Sequence, residues 1–268
     1  VAGVAWATVI AQLLSAALVL FVLSRSYECY RLVWSHMRAD WQILKKIFSI
    51  GFPAALQSAI TSFSNVFVQS YINHFGSACM AGYTSYSKID QFVMLPMQSI
   101  SQASTTFVGQ NLGADQLDRS KKGVNISILI AVSVTAFLTI LLNIFARPLL
   151  TMFSQEAEVL VYGVQFIRVM SPFYVLCVLN QIYAGALRGA GDSQAPMFIM
   201  LGSFVVFRQI YLYVGTRIFP ESLTFVSLGY PAGWILCSTL EFLHYRRGKW
   251  EKNYQRIRDL RKNPEKAK

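Results

Sequence analysis

The feature that most constrains this chain is a set of long stretches without a charged side chain. Residues 123–146 carry none at all, and a helix of that length crosses the roughly 30 Å hydrocarbon core of a bilayer. Hydrophobic residues make up 54% of the chain and charged residues 14%, against about 25% charged in a soluble domain. Because helices satisfy their own backbone hydrogen bonds in lipid, the sequence predicts an all-α integral membrane protein.

Apolar runs divide the chain, and the first of them differs from the rest. Residues 1–23 begin inside an apolar stretch at a valine, so we interpret them as a partial transmembrane helix whose upstream part is missing. A polar connector over residues 24–46 comes next, and a basic tail over residues 246–268 ends the chain. Between them, residues 47–245 are predicted to form a six-helix transmembrane bundle, because short loops favour antiparallel neighbours. The six predicted spans are residues 47–73, 79–110, 123–146, 158–187, 196–219 and 224–245.

Lysine and arginine lie almost entirely on one predicted side of the membrane. The connector, the loops near Arg119 and Arg188 and the tail hold nearly all of them, whereas the opposite loops hold Arg147 and Arg217. The positive-inside rule therefore predicts a multi-pass protein of the cell inner (plasma) membrane with a cytoplasmic C-terminus. Anionic membrane lipids beside the tail account for the net charge of +11, so we predict a lipid partner and no nucleic acid.

Two of the predicted spans carry polar side chains that repeat along one helix face. The stripe of the first span consists of Gln57, Thr61, Asn65 and Gln69, and that of the second consists of Gln91, Met94, Gln98 and Gln102. Residues four apart share a helix face. Such side chains can hydrogen-bond neighbouring helices to each other, or they can line a cleft for a small-molecule substrate. Both interpretations stay open, and in the second one Asn180 and Tyr183 of the fourth span also line the cleft.

We predict that four ionisable side chains of the spans are buried, where a charge is costly unless it faces the bundle interior or a wet cavity. They are Lys88, Asp90, Arg168 and Arg208. Lys88 and Arg208 lie near the middle of their spans, whereas Arg168 can extend its side chain to the membrane surface. Three cations against one acid predict that an anionic ligand or another part of the protein supplies acidic groups. We place Lys88, Asp90 and Arg208 on a substrate or ion pathway. With them we place the other residues of the cleft interpretation, which are Gln57, Thr61, Asn65, Gln91, Met94, Gln98, Gln102, Asn180 and Tyr183.

No recognisable catalytic or metal-binding motif accompanies these residues. The three histidines lie far apart and the four cysteines have no CxxC spacing, so neither a zinc site nor a disulfide framework follows. The chain contains no HExxH sequence and no nucleophile elbow. A membrane-embedded enzyme would need such a cluster at one membrane face. We therefore predict a transporter without a cofactor rather than an enzyme.

Three separated motifs resemble those of MATE multidrug transporters, in the order and spacing of the C-terminal half of that family. The motifs are Gly51–Pro53, Ser87–Pro96 followed by Phe107–Ala114, and Gly185–Asp192. The resemblance covers about residues 1–245. It implies a protein of twelve helices in two six-helix lobes. Residues 1–23 would then end the sixth helix, residues 24–46 would be the cytoplasmic bridge, and residues 47–245 would be the C-terminal lobe.

The resemblance also implies a function. MATE proteins export organic, often cationic or amphipathic compounds by antiport with H⁺ or Na⁺, and this chain would act together with the N-terminal lobe of the same protein. Some members carry coupling carboxylates on the first and fourth helices of the C-terminal lobe, but Thr61 and Cys177 stand near those positions here. Ion coupling through this lobe then depends on Asp90. The alternative is a flippase for lipid-linked or anionic glycans from the wider superfamily, which the surplus of cations favours.

Overall fold

Helices make up most of the part of the chain that the structure describes. The computed structural model describes residues 2–26, 31–33 and 40–262, and the chain divides into two compact units, Val1–Ile47 and Phe48–Lys268. Residues 27–30 and 34–39 of the predicted connector and 263–268 of the predicted tail lie outside the described residues. Every regular element of the described residues is a helix, which confirms the all-α prediction.

The first unit contains α1, which covers Ala2–Arg25. Its large apolar side chains are exposed, as expected for a helix that turns them to lipid. The stretch Ala5–Arg25 is long and apolar enough to cross a membrane. At its end, the guanidinium of Arg25 lies 4.6 Å from the centre of the Phe21 ring, an arrangement that suits a cation at a membrane interface.

The second helix begins six residues before its predicted start. α2 covers Trp41–Asn73, because the Asp40 carboxylate accepts hydrogen bonds from the backbone N–H groups of Gln42 (2.8 Å) and Ile43 (3.2 Å). A carboxylate in this position satisfies donors that the first turn of a helix leaves unpaired. The last residues of the predicted connector are therefore the first turns of α2.

Short turns join the remaining helices. α3 covers Ser77–Gly113, α4 Leu117–Ile144, α5 Ala146–Thr151, α6 Ala157–Met170, α7 Tyr174–Gly189, α8 Gln194–Met200, α9 Arg208–Ile218, α10 Leu223–Ser227, α11 Gly229–Arg246 and α12 Lys249–Lys262. Within the described residues, six stretches are long and apolar enough to cross a membrane, namely α1, α2, α4, α6 with α7, α8 with α9, and α10 with α11.

The long helix α3 packs against α4, α6 and α7. Its 37 residues include Lys88, Asp90 and many serine and glutamine side chains, so composition does not identify it as a span. Many of its apolar residues, among them Met97 and Val108, are buried against the neighbouring helices. With α3 included, the second unit has the six-helix bundle that the sequence predicts, and α1 is the additional helix before it.

Two of the spans are interrupted near their middle. Between α6 and α7, Ser171–Phe173 form one 3₁₀ turn, because Pro172 lacks the N–H group that a continuous α-helix needs. Between α8 and α9, Leu201–Phe207 form a π-helical segment. Such a segment widens the helix and changes the direction of the side chains that follow it, and Arg208 is the first residue after it. In contrast, Pro53 and Pro96 lie inside continuous helices.

Small residues let α3 and α7 approach each other closely. A β-carbon on Gly189 of α7 would lie 2.5 Å from the backbone oxygen of Thr105, and one on Gly185 would lie 2.7 Å from the Thr105 hydroxyl. Across the same contact, Ser101 Oγ donates a hydrogen bond to the Gln181 carbonyl at 2.7 Å. Small residues and interhelical hydrogen bonds of this kind hold helices together in membranes.

The Gly189→Ala substitution is expected to lower the free energy of unfolding by about 1–3 kcal/mol. The new methyl group would meet the backbone oxygen of Thr105, which cannot move unless the helix moves with it. Thermal unfolding of the purified chain in detergent measures this effect. Gly113→Ala is the matched control on α3, since nothing lies within 4 Å of a β-carbon there. Equal melting temperatures for the two variants would contradict the close approach of α3 and α7.

The predicted basic tail contains a helix that packs on the bundle. Trp250 of α12 is only 2% exposed. Lys121 Nζ, near the start of α4, lies 2.5 Å from the Glu251 carboxylate, and Tyr254 Oη donates to Asp115 Oδ1 at 2.6 Å. The described part of the tail is therefore attached to the turn between α3 and α4.

Candidate substrate cavity

A cavity of about 830 Å³ opens among the helices of the second unit. Its wall combines amides, hydroxyls, aromatic rings and two charged groups, Asp90 and Arg208. The residues that line it are Thr61, Asn65, Gln69, Tyr83, Tyr86, Ser87, Asp90, Gln91, Phe92, Met94, Leu95, Gln98, Met170, Cys177, Phe204, Arg208, Tyr230 and Trp234. Its volume lies in the range of small-molecule sites in proteins.

The cavity brings together most of the side chains that the sequence places on a substrate or ion pathway. Three of the four stripe residues of α2 and three of the four of α3 line it, together with Asp90 and Arg208. The predicted residues that line it are Thr61, Asn65, Asp90, Gln91, Met94, Gln98 and Arg208, and Gln69 of the α2 stripe lines it as well. Side chains from α2, α3 and α9 thus meet in one space.

Asp90 is the acid of the cavity wall, and two tyrosines hold it. Tyr174 Oη donates to Asp90 Oδ1 at 2.5 Å and Tyr86 Oη donates to the same oxygen at 3.2 Å, while the two hydroxyls lie 3.0 Å apart. Among the described residues, no lysine, arginine or histidine forms an ion pair with this carboxylate. Both of these donors are on Oδ1, and no hydrogen bond from the described residues reaches Oδ2.

Arg208 is the cation of the cavity wall and is 1% exposed. Its Nη2 donates to Ser64 Oγ at 2.5 Å and to Asn65 Oδ1 at 3.0 Å. Its guanidinium carbon also lies 5.1 Å from the centre of the Tyr230 ring and 5.5 Å from that of Phe204. Charge-assisted hydrogen bonds and cation–π contacts offset part of the cost of burying this charge, and none of these partners is an acid.

A series of aromatic contacts in the cavity wall connects Asp90 to Arg208. The Tyr83 and Tyr230 hydroxyls are 2.7 Å apart, and the ring centres of Tyr83 and Tyr86 are 6.1 Å apart. Trp234 lies 6.1 Å from Tyr174 and 6.2 Å from Tyr230, again between ring centres. None of these rings was singled out in the sequence, although Tyr86 is four residues before Asp90 and so shares its helix face.

Five of the sequence-predicted residues lie outside the cavity wall: Gln57, Lys88, Gln102, Asn180 and Tyr183. Lys88 and Gln102 are exposed side chains of α3. Tyr183 is buried against other aromatic rings, with its ring centre 5.3 Å from that of Tyr245. Gln57 and Asn180 belong to a second group of polar side chains.

This second group contains an acid that the sequence-based set leaves out. Glu241 on α11 is 0% exposed, and with the Asn180 amide turned so that its nitrogen faces the carboxylate, Nδ2 donates to Oε2 at 2.8 Å. Arg188 Nη1 donates to Gln57 Oε1 at 3.1 Å, and Gln57 Nε2 contacts Met200 Sδ. We call Gln57, Asn180, Arg188 and Glu241 the lower cluster. It follows the cavity along α7, since Asn180 is three residues after the cavity residue Cys177.

Glu241 changes the expected balance of charges inside the spans. The expectation of three buried cations and one acid is wrong, because Lys88 and Arg168 are exposed whereas Arg208 and Glu241 are fully buried. Arg188 interacts electrostatically with Glu241, but the described residues include no ion pair to its carboxylate. The signal for Glu241 was present in the sequence as the one acid within the apolar run 224–245.

Comparison with known proteins identifies the family of this chain. The MatE family model matches residues 53–214, which is more than half of the sequence. The chain belongs to the MatE family. Members of this family are transporters rather than enzymes, which confirms both the resemblance and the prediction of a non-enzymatic membrane protein.

Individual relatives cover most of the MatE chain but only about half of their own length. "Probable multidrug resistance protein YoeA" of Bacillus subtilis is 26% identical over 248 residues, which are 91% of this chain and 53% of YoeA. A protein of Shewanella oneidensis named "FAD transporter" is 27% identical over 207 residues, which are 76% of this chain and 45% of that protein.

A solved structure shows the same fold. The outward-facing conformation of a multidrug resistance MATE family transporter of the MOP superfamily superimposes with a TM-score of 0.84 at 20% sequence identity. The match covers 93% of this chain and 57% of the other. The MatE chain therefore spans about half the length of the proteins that it matches.

Proposed function

We propose that this MatE chain is the C-terminal lobe of a secondary active transporter that exports organic, cationic or amphipathic compounds by antiport. The observation that carries the proposal is the cavity of about 830 Å³, whose wall is mostly aromatic, amide and thioether groups with a single carboxylate. Aromatic faces attract organic cations, and methionine adapts to ligands of varied shape. Since the chain spans about half the length of its relatives, the proposal includes the N-terminal lobe of the same protein as a partner.

Within this proposal the coupling ion is H⁺, and Asp90 binds it. The two tyrosine hydroxyls that contact Asp90 both donate to Oδ1, which leaves Oδ2 for a proton. A proton and a cationic substrate would compete for the same carboxylate, and this competition supports antiport.

Glu241 would be a second proton site between the cavity and the tail. Along α11, Glu241 is seven residues beyond the cavity residue Trp234, about 10 Å at 1.5 Å per residue. An ionised carboxylate without an ion-pair partner is expensive at 0% exposure, and binding a proton removes that cost. The lower cluster therefore supports a route on which protons leave Asp90 toward the end of the bundle that carries the tail.

One observation favours an anionic substrate as a second candidate. Arg208 places a buried guanidinium in the cavity wall, without an acid among its hydrogen-bond or ring partners. Guanidinium groups bind phosphate and carboxylate groups through paired hydrogen bonds, and one relative is named an FAD transporter, a compound that carries phosphates. An anionic organic compound, including a lipid-linked or anionic glycan that is flipped across the bilayer, would use Arg208 in place of Asp90.

Transport by the full-length protein in proteoliposomes tests this proposal. A fluorescent organic cation should accumulate against its gradient when a pH gradient is imposed, and a Na⁺ gradient alone should give no accumulation. Accumulation driven by Na⁺ alone would overturn the choice of ion. Movement of a fluorescent anion or glycolipid, with none of the cation, would replace the first candidate by the second.

We also propose that the tail and the α3–α4 turn face the cytoplasm, as the distribution of lysine and arginine indicates. In a cysteine-free background, an impermeant thiol reagent added outside intact cells should label single cysteines at Ser77 and Glu221. It should not label cysteines at Asp118 and Lys122. All four side chains are exposed, so burial within the protein would not explain a cysteine that stays unlabelled. Labelling of the second pair alone would invert the proposed orientation.

A further inference from the structure

We infer that a cavity at the end of the bundle opposite the tail binds the headgroup of an anionic phospholipid through Arg147 and Arg168. This cavity encloses about 530 Å³ between α4, α5 and α6. It is separate from the substrate cavity and shares no lining residue with it. The inference does not depend on the proposed transport function.

The charged side chains that line this cavity are all positive. Arg147 and Arg168 both line it, and none of its lining residues is acidic. Among the described residues, neither arginine forms an ion pair, although Glu156 and Glu158 stand close by in the sequence. Two guanidinium groups that share one cavity without an acid match a phosphate group, which each can bind through paired hydrogen bonds.

Two amide side chains of the cavity can bind the hydroxyl groups of a lipid headgroup. Asn143 Nδ2 donates to the Thr139 carbonyl at 2.8 Å and to Ser171 Oγ at 2.7 Å, and Gln165 Nε2 donates to Thr224 Oγ1 at 3.1 Å. The Asn143 amide donates both of its N–H groups to the protein and the Gln165 amide donates one of its two, so the two amide oxygens are acceptors that are left for a ligand. They accept hydrogen bonds, so the hydroxyls of a phosphatidylglycerol headgroup are suitable donors.

The depth of the cavity is that of the membrane interface. Asn143 is next to the last residue of α4, and Thr224, which binds Gln165, is the second residue of α10. Spans therefore end and begin at this level, where backbone groups need polar partners instead of hydrocarbon. Long cationic side chains at such positions extend toward headgroups.

Apolar side chains continue the cavity toward the lipid chains. Ile144 and Val161 line it and are 65% and 66% exposed, so they present hydrocarbon to the bilayer on either side of the arginines. Leu160 and Val164 form more of the same wall. A polar, cationic pocket that is open to an apolar surface fits a phospholipid better than a free anion, which has no acyl chain for that surface.

Native mass spectrometry of the purified chain in detergent, titrated with phosphatidylglycerol, tests the inference. The Arg147→Gln/Arg168→Gln double variant is expected to weaken phosphatidylglycerol binding by at least about tenfold, with phosphatidylcholine binding unchanged. Arg217→Gln is the matched control, because Arg217 is an arginine at the same end of the bundle that lies over the Tyr213 ring and outside this cavity. Its binding of phosphatidylglycerol should equal that of the wild type.

Val164→Phe fills the cavity without removing a charge and should give a similar loss of phosphatidylglycerol binding, which keeps the test valid if the double variant does not fold. Wild-type binding by the double variant and by Val164→Phe would overturn the inference. Displacement of phosphatidylglycerol by millimolar inorganic phosphate would also overturn it, because it would identify a site for free anions. If the chain bound phosphatidylcholine as tightly as phosphatidylglycerol, the arginines would not recognise the anionic headgroup, and the cavity would be an apolar groove only.

Discussion

Replacing Asp90 by asparagine in the full-length protein is expected to reduce substrate export to background while leaving expression and folding intact. Asparagine has almost the same shape, and its side-chain oxygen can still accept the hydrogen bonds that Tyr174 and Tyr86 donate. It cannot bind and release a proton or carry a negative charge. If Asp90 is the site at which a proton and a cationic substrate compete, the exchange stops although the cavity keeps its shape. Export of a fluorescent cation from cells, together with the melting temperature of the purified variant, measures both effects.

Asp118→Asn is the matched control, because Asp118 is an exposed acid in the first turn of α4 and lies outside the cavity. It should export at the wild-type rate. Tyr174→Phe removes the shorter of the two hydrogen bonds to Asp90 and should lower export less than Asp90→Asn does. Normal export by the Asp90→Asn variant would contradict the role of this carboxylate in transport and leave it as a packing residue of α3.

Replacing Glu241 by glutamine is expected to lower export by at least about tenfold with no loss of stability. In the glutamine variant, the carboxamide oxygen can still accept the hydrogen bond that Asn180 Nδ2 donates to the carboxylate, and a neutral group is less costly than a charge at 0% exposure. The variant would imitate the protonated state permanently, so proton release toward the tail would stop. The rate of proton movement, followed with a pH-sensitive dye inside proteoliposomes, separates this effect from a loss of substrate binding.

Asn180→Ala provides the comparison for stability. It removes a hydrogen-bond donor of the buried Glu241 carboxylate, which costs about 1–3 kcal/mol. We therefore expect a lower melting temperature for Asn180→Ala than for Glu241→Gln. Unchanged proton movement in the Glu241→Gln variant would show that Glu241 and Asn180 are a structural pair between α7 and α11.

The fold was largely predictable because the bilayer imposes the same demand on every span. Hydrophobic length predicted six spans and a preceding helix, and the ends of the described spans lie within six residues of the predicted ones. α3 is instructive, since Lys88, Asp90 and its other polar side chains keep composition alone from identifying it as a span. Residues 79–110 were nevertheless predicted as a span from the length of the mostly apolar run, and the motifs Ser87–Pro96 and Phe107–Ala114 supported that prediction through the resemblance to a family.

For the candidate site, the sequence predicted which residues of one helix share a face, but not which residues of different helices meet. A spacing of four residues places Thr61, Asn65 and Gln69 on one face of α2, and all three line the cavity. The partners of Asp90 required the fold, because Tyr174 is 84 residues away along the chain. Glu241 and Asn180 likewise meet only when α7 and α11 pack together.

The sequence by itself determined that this is a helical membrane protein, where its spans lie, and which residues share a helix face, because these properties depend on local composition and a fixed helical period. Only the tertiary structure decided which face turns inward. Lys88 and Asp90 are two residues apart on α3, yet Lys88 is exposed and Asp90 contacts two tyrosines. Arg208 is buried directly after the π-helical segment Leu201–Phe207. That irregular turn alters the helical period, so the direction of Arg208 follows from packing between helices rather than from its position in the sequence.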